Sequence, residues 1–157
     1  MVAILHNIRS LFNVGSIFRT ADAAGFSKIY LCGITPAPVD DFSHSRPQLT
    51  KVSLGAEKTV AWEKVSKTLT AISRLKKDGY TIIAVEQAPG SIPYFDLKLK
   101  NDKVALIMGH EVKGLPGSIL KAVDKVAEIP MRGKKESLNV GVAFGIVAMR
   151  FAERISN

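Results

Sequence analysis

Three short stretches of this sequence bring together residue types able to do chemistry. The first, Asn13-Val14-Gly15-Ser16-Ile17-Phe18-Arg19, sets an amide and a guanidinium six residues apart at the start of a helical pattern. The second, Gly109-His110-Glu111-Val112-Lys113-Gly114-Leu115-Pro116, places the Glu111 carboxylate between two glycines, residues that let a backbone approach a ligand or take positive φ. The third runs from Ile129 to Val140 and crowds Arg132, Lys134 and Lys135 ahead of Ser137, Leu138 and Asn139. Each also has an ordinary reading. Asn13 can cap a helix with Arg19 solvated in its second turn, Glu111 can sit in a tight turn, and Asn139 can satisfy nearby backbone. Two familiar chemistries are excluded at once. The second stretch lacks the Gly-Lys-Ser/Thr ending of a phosphate loop, and His110 has no second histidine four residues beyond Glu111 to make a zinc pair.

The elements that must hold these stretches alternate between strand and helix. Val2–His6 and Lys28–Cys32 have strand composition. Tyr80–Val85 and Lys103–Met108 are continuous apolar runs of the kind buried on both faces of a parallel sheet, and Val126–Ile129 is a short strand. Ile17, Phe18, Ala21 and Ala24 fall at helical spacing, with Gly25 as the stop. Val65, Leu69, Ile72 and Leu75 predict a helix over Trp62–Lys77 ending at Gly79. Pro116 opens a helix to about Val123, and Ser137 caps a last one running to Ile155, with Leu138 and Asn139 in its first turn. Pro36–Lys51, with three prolines and two adjacent aspartates, reads as a long surface loop with room for a helical turn. The alternation predicts an α/β fold with a mostly parallel sheet flanked by helices, in a single domain over residues 1–157. Ligands of such sheets collect at the carboxyl ends of the strands, where all three stretches fall. Small residues in the last helix, Gly141, Ala143, Gly145 and Ala148, suit close helix packing inside the domain or across a dimer.

Composition narrows the partners. The chain has 157 residues, 46% of them hydrophobic, and 22 Lys+Arg against 14 Asp+Glu give a net charge of +8. No apolar run approaches the roughly 20 residues that span a bilayer, and the first residues lack a secretion signal's basic start and cleavage site. One cysteine, Cys32, excludes a disulfide scaffold and a multi-cysteine metal site. The expectation is a cytoplasmic protein, with no membrane and no metal, that meets a polyanion. Arg9, Arg19, Lys113, Arg132, Lys134 and Lys135 gather around the three stretches as candidate contacts to that polyanion.

Taken in order, Asn13 to Asp22, Ile107 to Leu115, and Ile129-Pro130-Met131 with Ser137-Leu138-Asn139-Val140 resemble the three signature motifs of the SpoU (TrmH-like) RNA ribose 2'-O-methyltransferases of the SPOUT superfamily. The resemblance spans nearly the whole chain. It implies a C-terminal deep trefoil knot, an S-adenosylmethionine pocket made by that knot, and a homodimer built partly on the first and last helices. It also implies that the catalytic set is Arg19, Asn13, Glu111, Ser137 and Asn139. The methyl donor is then held around Met108, Gly109, Gly114, Ile129, Met131, Ser137, Leu138 and Asn139. Gly141 departs from the many members that carry serine there. No appended RNA-binding domain is read from the sequence, so the catalytic domain itself must capture RNA. The run Tyr80–Gln87 favours tRNA as substrate through its likeness to the tRNA-directed branch, with ribosomal RNA as the alternative and a non-catalytic RNA-binding relative as a third reading. Arg19 would orient the ribose hydroxyl and stabilise its developing charge. A role as general base stays open and would require burial or neighbouring positive charge.

Overall fold

Among the described residues every strand of the sheet runs in the same direction. The computed structural model describes residues 1–99 and 101–155. Among them β1 (Val2–His6), β2 (Lys28–Cys32), β3 (Ala61–Val65), β4 (Thr81–Val85), β5 (Ile92–Pro93), β6 (Val104–Met108) and β7 (Lys125–Glu128) form one sheet. Their order is β3-β2-β1-β6-β4-β7-β5, and each pairing is parallel. The apolar runs of β1, β4 and β6 take the centre, where both faces are covered. Alternation then divides each strand between two cores. Ala3, Leu5, Ile83, Val85, Leu106 and Met108 point one way, and Val2, Ile4, Ile82, Ala84, Ala105 and Ile107 the other.

The first core is closed by α1 (Leu11–Ala23), α2 (Pro47–Ser53), α3 (Ala56–Thr59) and α6 (Val140–Ile155), through Val14, Ile17, Phe18, Leu49, Phe144, Val147 and Phe151. The second is closed by α4 (Thr68–Lys77) and α5 (Gly117–Leu120), through Ala71, Ile72, Leu75 and Ile119. α1 and α6 also lie against each other, and a β-carbon on Gly141 would approach Ser16 Oγ to 3.2 Å. From β1 the chain moves outward to β2 and β3, then crosses through α4 to β4 on the far side. That reversal beside β1 is where an open parallel sheet leaves a crevice at its carboxyl edge.

Several expectations are corrected. Trp62–Val65 is not helical but lies in edge strand β3, paired with β2. Val65 fits a helical stripe and a strand face equally, and pairing decided. The helix begins at Thr68 instead. The long loop closes earlier, because Pro47 enters the first turn of α2. Pro116 precedes α5, which stops at Leu120. The two-residue strand β5 is too short to be read from sequence.

Candidate active site

A cleft of about 200 Å³ opens at the carboxyl ends of β6, β4 and β7. The loop after β6 contributes Met108, Gly109, His110, Glu111 and Gly114, and the end of β4 contributes Val85, Glu86 and Gln87. The segment between β7 and α6 adds Ile129, Met131, Ser137 and Leu138. The β6 loop folds tightly enough to need its glycines. A β-carbon on Gly109 would lie 2.8 Å from the Gly114 carbonyl carbon, and Gly114 itself has φ +62. Gly114 N donates to His110 O at 2.9 Å, while His110 Nδ1 accepts from Val112 N at 3.0 Å. With Nδ1 used as an acceptor, the neutral ring carries its proton on Nε2.

Beside the cleft a chain of polar groups joins the three motif stretches. Glu111 Oε1 accepts from Ser10 N at 3.0 Å and from Asn13 Nδ2 at 3.2 Å, and both its oxygens accept from Arg9 N at 3.2 Å. Asn13 Oδ1 accepts from Asn139 Nδ2 at 3.0 Å. Asn139 Oδ1 in turn accepts from Gly141 N at 2.9 Å and Val142 N at 3.3 Å. The chain therefore runs from the first amides of α6 to the first turn of α1 and the β6 loop. Partial burial opposes ionisation of Glu111, but hydrogen bonds from its own amide, Ser10, Arg9 and Asn13 outweigh it and hold the carboxyl below its ordinary range.

Two capping expectations change. The N-cap of α1 is Ser10, whose hydroxyl accepts from Asn13 N. Asn13 therefore sits inside the first turn, which frees its amide to bridge Glu111 and Asn139. The last helix starts at Val140, with Asn139 rather than Ser137 as the cap, since Asn139 Oδ1 takes the exposed amides. Ser137 and Leu138 precede the helix and line the cleft.

The expected donor-binding positions thus converge, with Asn139 adjoining the cleft as a cap. Arg19 and Asn13 do not line it, and Arg19 is exposed on α1. Arg9, Lys113, Arg132, Lys134 and Lys135 are exposed as well. Gln87 and Glu86 were not singled out from sequence as site residues. Gln87 Nε2 donates to Glu136 O at 2.8 Å, tying the basic segment to β4. Their one signal in the sequence is position, directly after a buried strand. Among the described residues no group of three or more His, Cys, Asp or Glu is placed to hold a metal, and no helix is long and apolar enough to cross a membrane.

Comparison with known proteins accords with this geometry. Residues 1–149 match the model of the SpoU rRNA Methylase family. A tRNA (guanosine(18)-2'-O)-methyltransferase of Borreliella burgdorferi is 31% identical over 97% of this chain and 66% of its own length. The AdoMet-bound rRNA methyltransferase from Sinorhizobium meliloti superposes with a TM-score of 0.85 at 33% identity, over 98% of this chain and 55% of that one. A structure described as giving insights into the 2-OH methylation of C/U34 on tRNA has a TM-score of 0.81 at 26% identity, covering 99% of this chain and 95% of that one. The chain therefore spans just under two thirds of the Borreliella protein and about half of the Sinorhizobium protein.

Proposed function

This chain belongs to the SpoU methylase family, and we propose that it transfers a methyl group from S-adenosylmethionine to a ribose 2'-hydroxyl of RNA, with tRNA as the favoured substrate. The observation that carries this reading is the cleft at the carboxyl ends of β6, β4 and β7, with the three motif stretches joined beside it by Asn13, Glu111 and Asn139. Its lining suits the donor's chemistry. Met108, Ile129, Met131 and Leu138 offer apolar surface to a flat base, and Glu86, Gln87 and the Ser137 hydroxyl offer polar groups to the rest. When bound, S-adenosylmethionine supplies a methyl carbon on a positively charged sulfur, open to displacement.

The protein's own task is alignment. Gly109 and Gly114 let the β6 loop close without side chains in the way. Glu111 acts as an ionised anchor for the start of α1, and Asn139 fixes the start of α6 against Asn13. Arg19 orients the ribose hydroxyl and stabilises the negative charge that develops on its oxygen.

Because Arg19 lies outside the cleft of its own chain, the reading includes a homodimer in which each Arg19 serves the other copy. Phe12 and Arg19 are two helical turns apart on α1, as Val142 and Met149 are on α6. Phe12, Val142 and Met149 are 59%, 52% and 46% exposed, an apolar face suited to a second copy. The reading also takes residues 1–157 as one methyltransferase domain. It takes the segment 129–139, tied to β4 through Gln87 and to α1 through Asn139, as the threaded segment of a trefoil knot, and the cytoplasm as the compartment. Arg9, Lys113, Arg132, Lys134 and Lys135 would follow the RNA backbone, so affinity should fall steeply with salt.

Ribosomal RNA is a second reading, favoured by the likeness to the Sinorhizobium rRNA methyltransferase. Methyl transfer to unmodified tRNA and 23S rRNA transcripts, followed by mapping of the 2'-O-methyl position, separates the two. Labelling of tRNA alone is expected. Labelling of rRNA alone would replace tRNA, and labelling of neither, despite RNA binding, would leave a binding-only protein.

A further inference from the structure

β4 ends at Val85 on the floor of the cleft, and the residue that follows is Glu86. Its carboxylate is already fixed: Oε1 accepts from Gln87 N at 3.0 Å and Oε2 accepts from Leu115 N at 2.9 Å. It also lies so close to Gly114 that a β-carbon there would collide with Oε2. The side chain is half-buried, and among the described residues no Lys, Arg or His nitrogen pairs with it. An ionised carboxylate offers about four acceptor positions. Two are taken by backbone amides, and the others belong to a group that lines the cleft without a cation of its own.

We propose that Glu86 is the ribose-recognising residue of the donor site, accepting hydrogen bonds from the ribose hydroxyls of the bound nucleoside. The inference rests on the cleft's being the methyl-donor site. Three features favour this assignment. A carboxylate at a strand's carboxyl end is a matched acceptor for a vicinal diol, as at dinucleotide sites of parallel sheets. Glu86 is held by the strand end and by the β6 loop at once, so it is ordered before any ligand arrives. It also sits at the floor, between the loops that enclose the donor, whereas the exposed cations suited to RNA phosphates lie on the outer loops. Glu86 is thus a specificity residue that reads the sugar and does not touch the transferred methyl.

The test is a calorimetric cycle on the full chain. Wild type and Glu86→Ala are each titrated with S-adenosylhomocysteine, its 2'-deoxy and 3'-deoxy forms, and 5'-methylthioadenosine, which keeps the ribose but lacks the amino acid. Wild type should lose about tenfold in affinity for at least one deoxy form. Glu86→Ala should bind S-adenosylhomocysteine and 5'-methylthioadenosine about tenfold more weakly than wild type and should no longer distinguish the deoxy forms. A merely structural role would weaken all four ligands together and keep the discrimination, which overturns the proposal, as does wild-type affinity in the variant. Circular dichroism checks the fold. If Glu86→Ala is unfolded, Glu86→Gln is read with the same ligands, and full discrimination there counts against the proposal. Failure of the wild type to bind S-adenosylmethionine or S-adenosylhomocysteine at all is a different result, which removes the donor-site reading itself.

Discussion

The carboxyl edge of the sheet has two halves that end in opposite ways. Beyond β1, β2 and β3 the polar groups are consumed by one another. Thr35 Oγ1 donates to Leu5 O at 2.9 Å and accepts from Ile8 N at 3.1 Å, and Asn7 Oδ1 accepts from Ile34 N at 3.1 Å. Lys64 Nζ donates to the carbonyls of Gly33 and Thr35. His6 Nδ1 meets Thr68 Oγ1 at 2.7 Å. Beyond β6, β4 and β7 the polar groups instead tie loops and helix ends to one another around an open space, through Glu86, Gln87, Glu111, Asn13 and Asn139. Both halves satisfy the requirement that buried polar atoms find partners: among the described residues no buried side-chain nitrogen or oxygen is left without one. Only one leaves room for a ligand. A parallel sheet offers its whole carboxyl edge, and local hydrogen bonding decides which part stays available.

Arg19 belongs to neither half, and its loss should have the largest effect. Arg19→Ala is expected to lower methyl transfer by about 10²–10³-fold while calorimetry finds unchanged S-adenosylmethionine affinity. Near wild-type turnover would exclude Arg19 from the chemistry. Next in size is a change in the closed half. Thr35 is fully buried, and Thr35→Val strands the Ile8 amide and takes one hydrogen bond from the Leu5 carbonyl. The cost should be about 2 kcal/mol, or roughly 5 °C in Tm, with donor affinity intact in the folded protein. A fall in donor affinity at constant stability would erase the distinction between the halves.

Asn139→Ala tests the open half and should show the reverse pattern. Loss of the cap costs about 1 kcal/mol of stability, and release of α6 from Asn13 should weaken donor binding by roughly tenfold, near 1.4 kcal/mol. Unchanged donor affinity would detach the amide chain from the site.

The smallest effect separates the halves by pH. Burial first, and nearby His110 second, hold the His6 ring below its ordinary value. Asn7 Nδ2 faces His6 Nε2 at 3.2 Å, because Asn7 Oδ1 is committed to Ile34, so protonating Nε2 would set donor against donor. The unfolded chain binds that proton more readily, so this contribution to stability is complete above a pH of about 6.5 and is lost as pH falls through the lower folded value. For Glu111 the folded pKa is also depressed, so its contribution is present above about pH 4.3 and is lost only below it. Melting temperatures measured across pH should decline first in the histidine range and again in the carboxylate range. His6→Asn should remove the first step alone, and a single decline would contradict the separation.

Much of this architecture was legible from apolar pattern. The runs in β1, β2, β4 and β6 have few alternatives, and Phe18, Ile72 and Phe144 each lie on a helical stripe that the fold buries. The cleft-lining positions from Met108 to Leu138 were legible through motif order. What escaped depends on pairing across distance. Trp62–Val65 became a strand because β2 had a free edge. Asn13 and Glu111 are 98 positions apart, and Asn13 and Asn139 are 126 apart, so neither partnership shows in local sequence. Ser10 and Asn139 displaced Asn13 and Ser137 as caps because a cap is decided by which side chain reaches the free amides. Glu86 and Gln87 look like the start of any loop until the β6 loop and the basic segment close on them.

The account stands most directly on the open half being the donor site. Amide chemical-shift mapping of the isotope-labelled protein during titration with S-adenosylmethionine tests it. The expected result is perturbation of Gly109, Gly114, Leu115, Met131 and Leu138, with Asn7, Gly33, Thr35 and Ser66 unmoved. Perturbation centred on the latter group, or none at saturating donor, would contradict it.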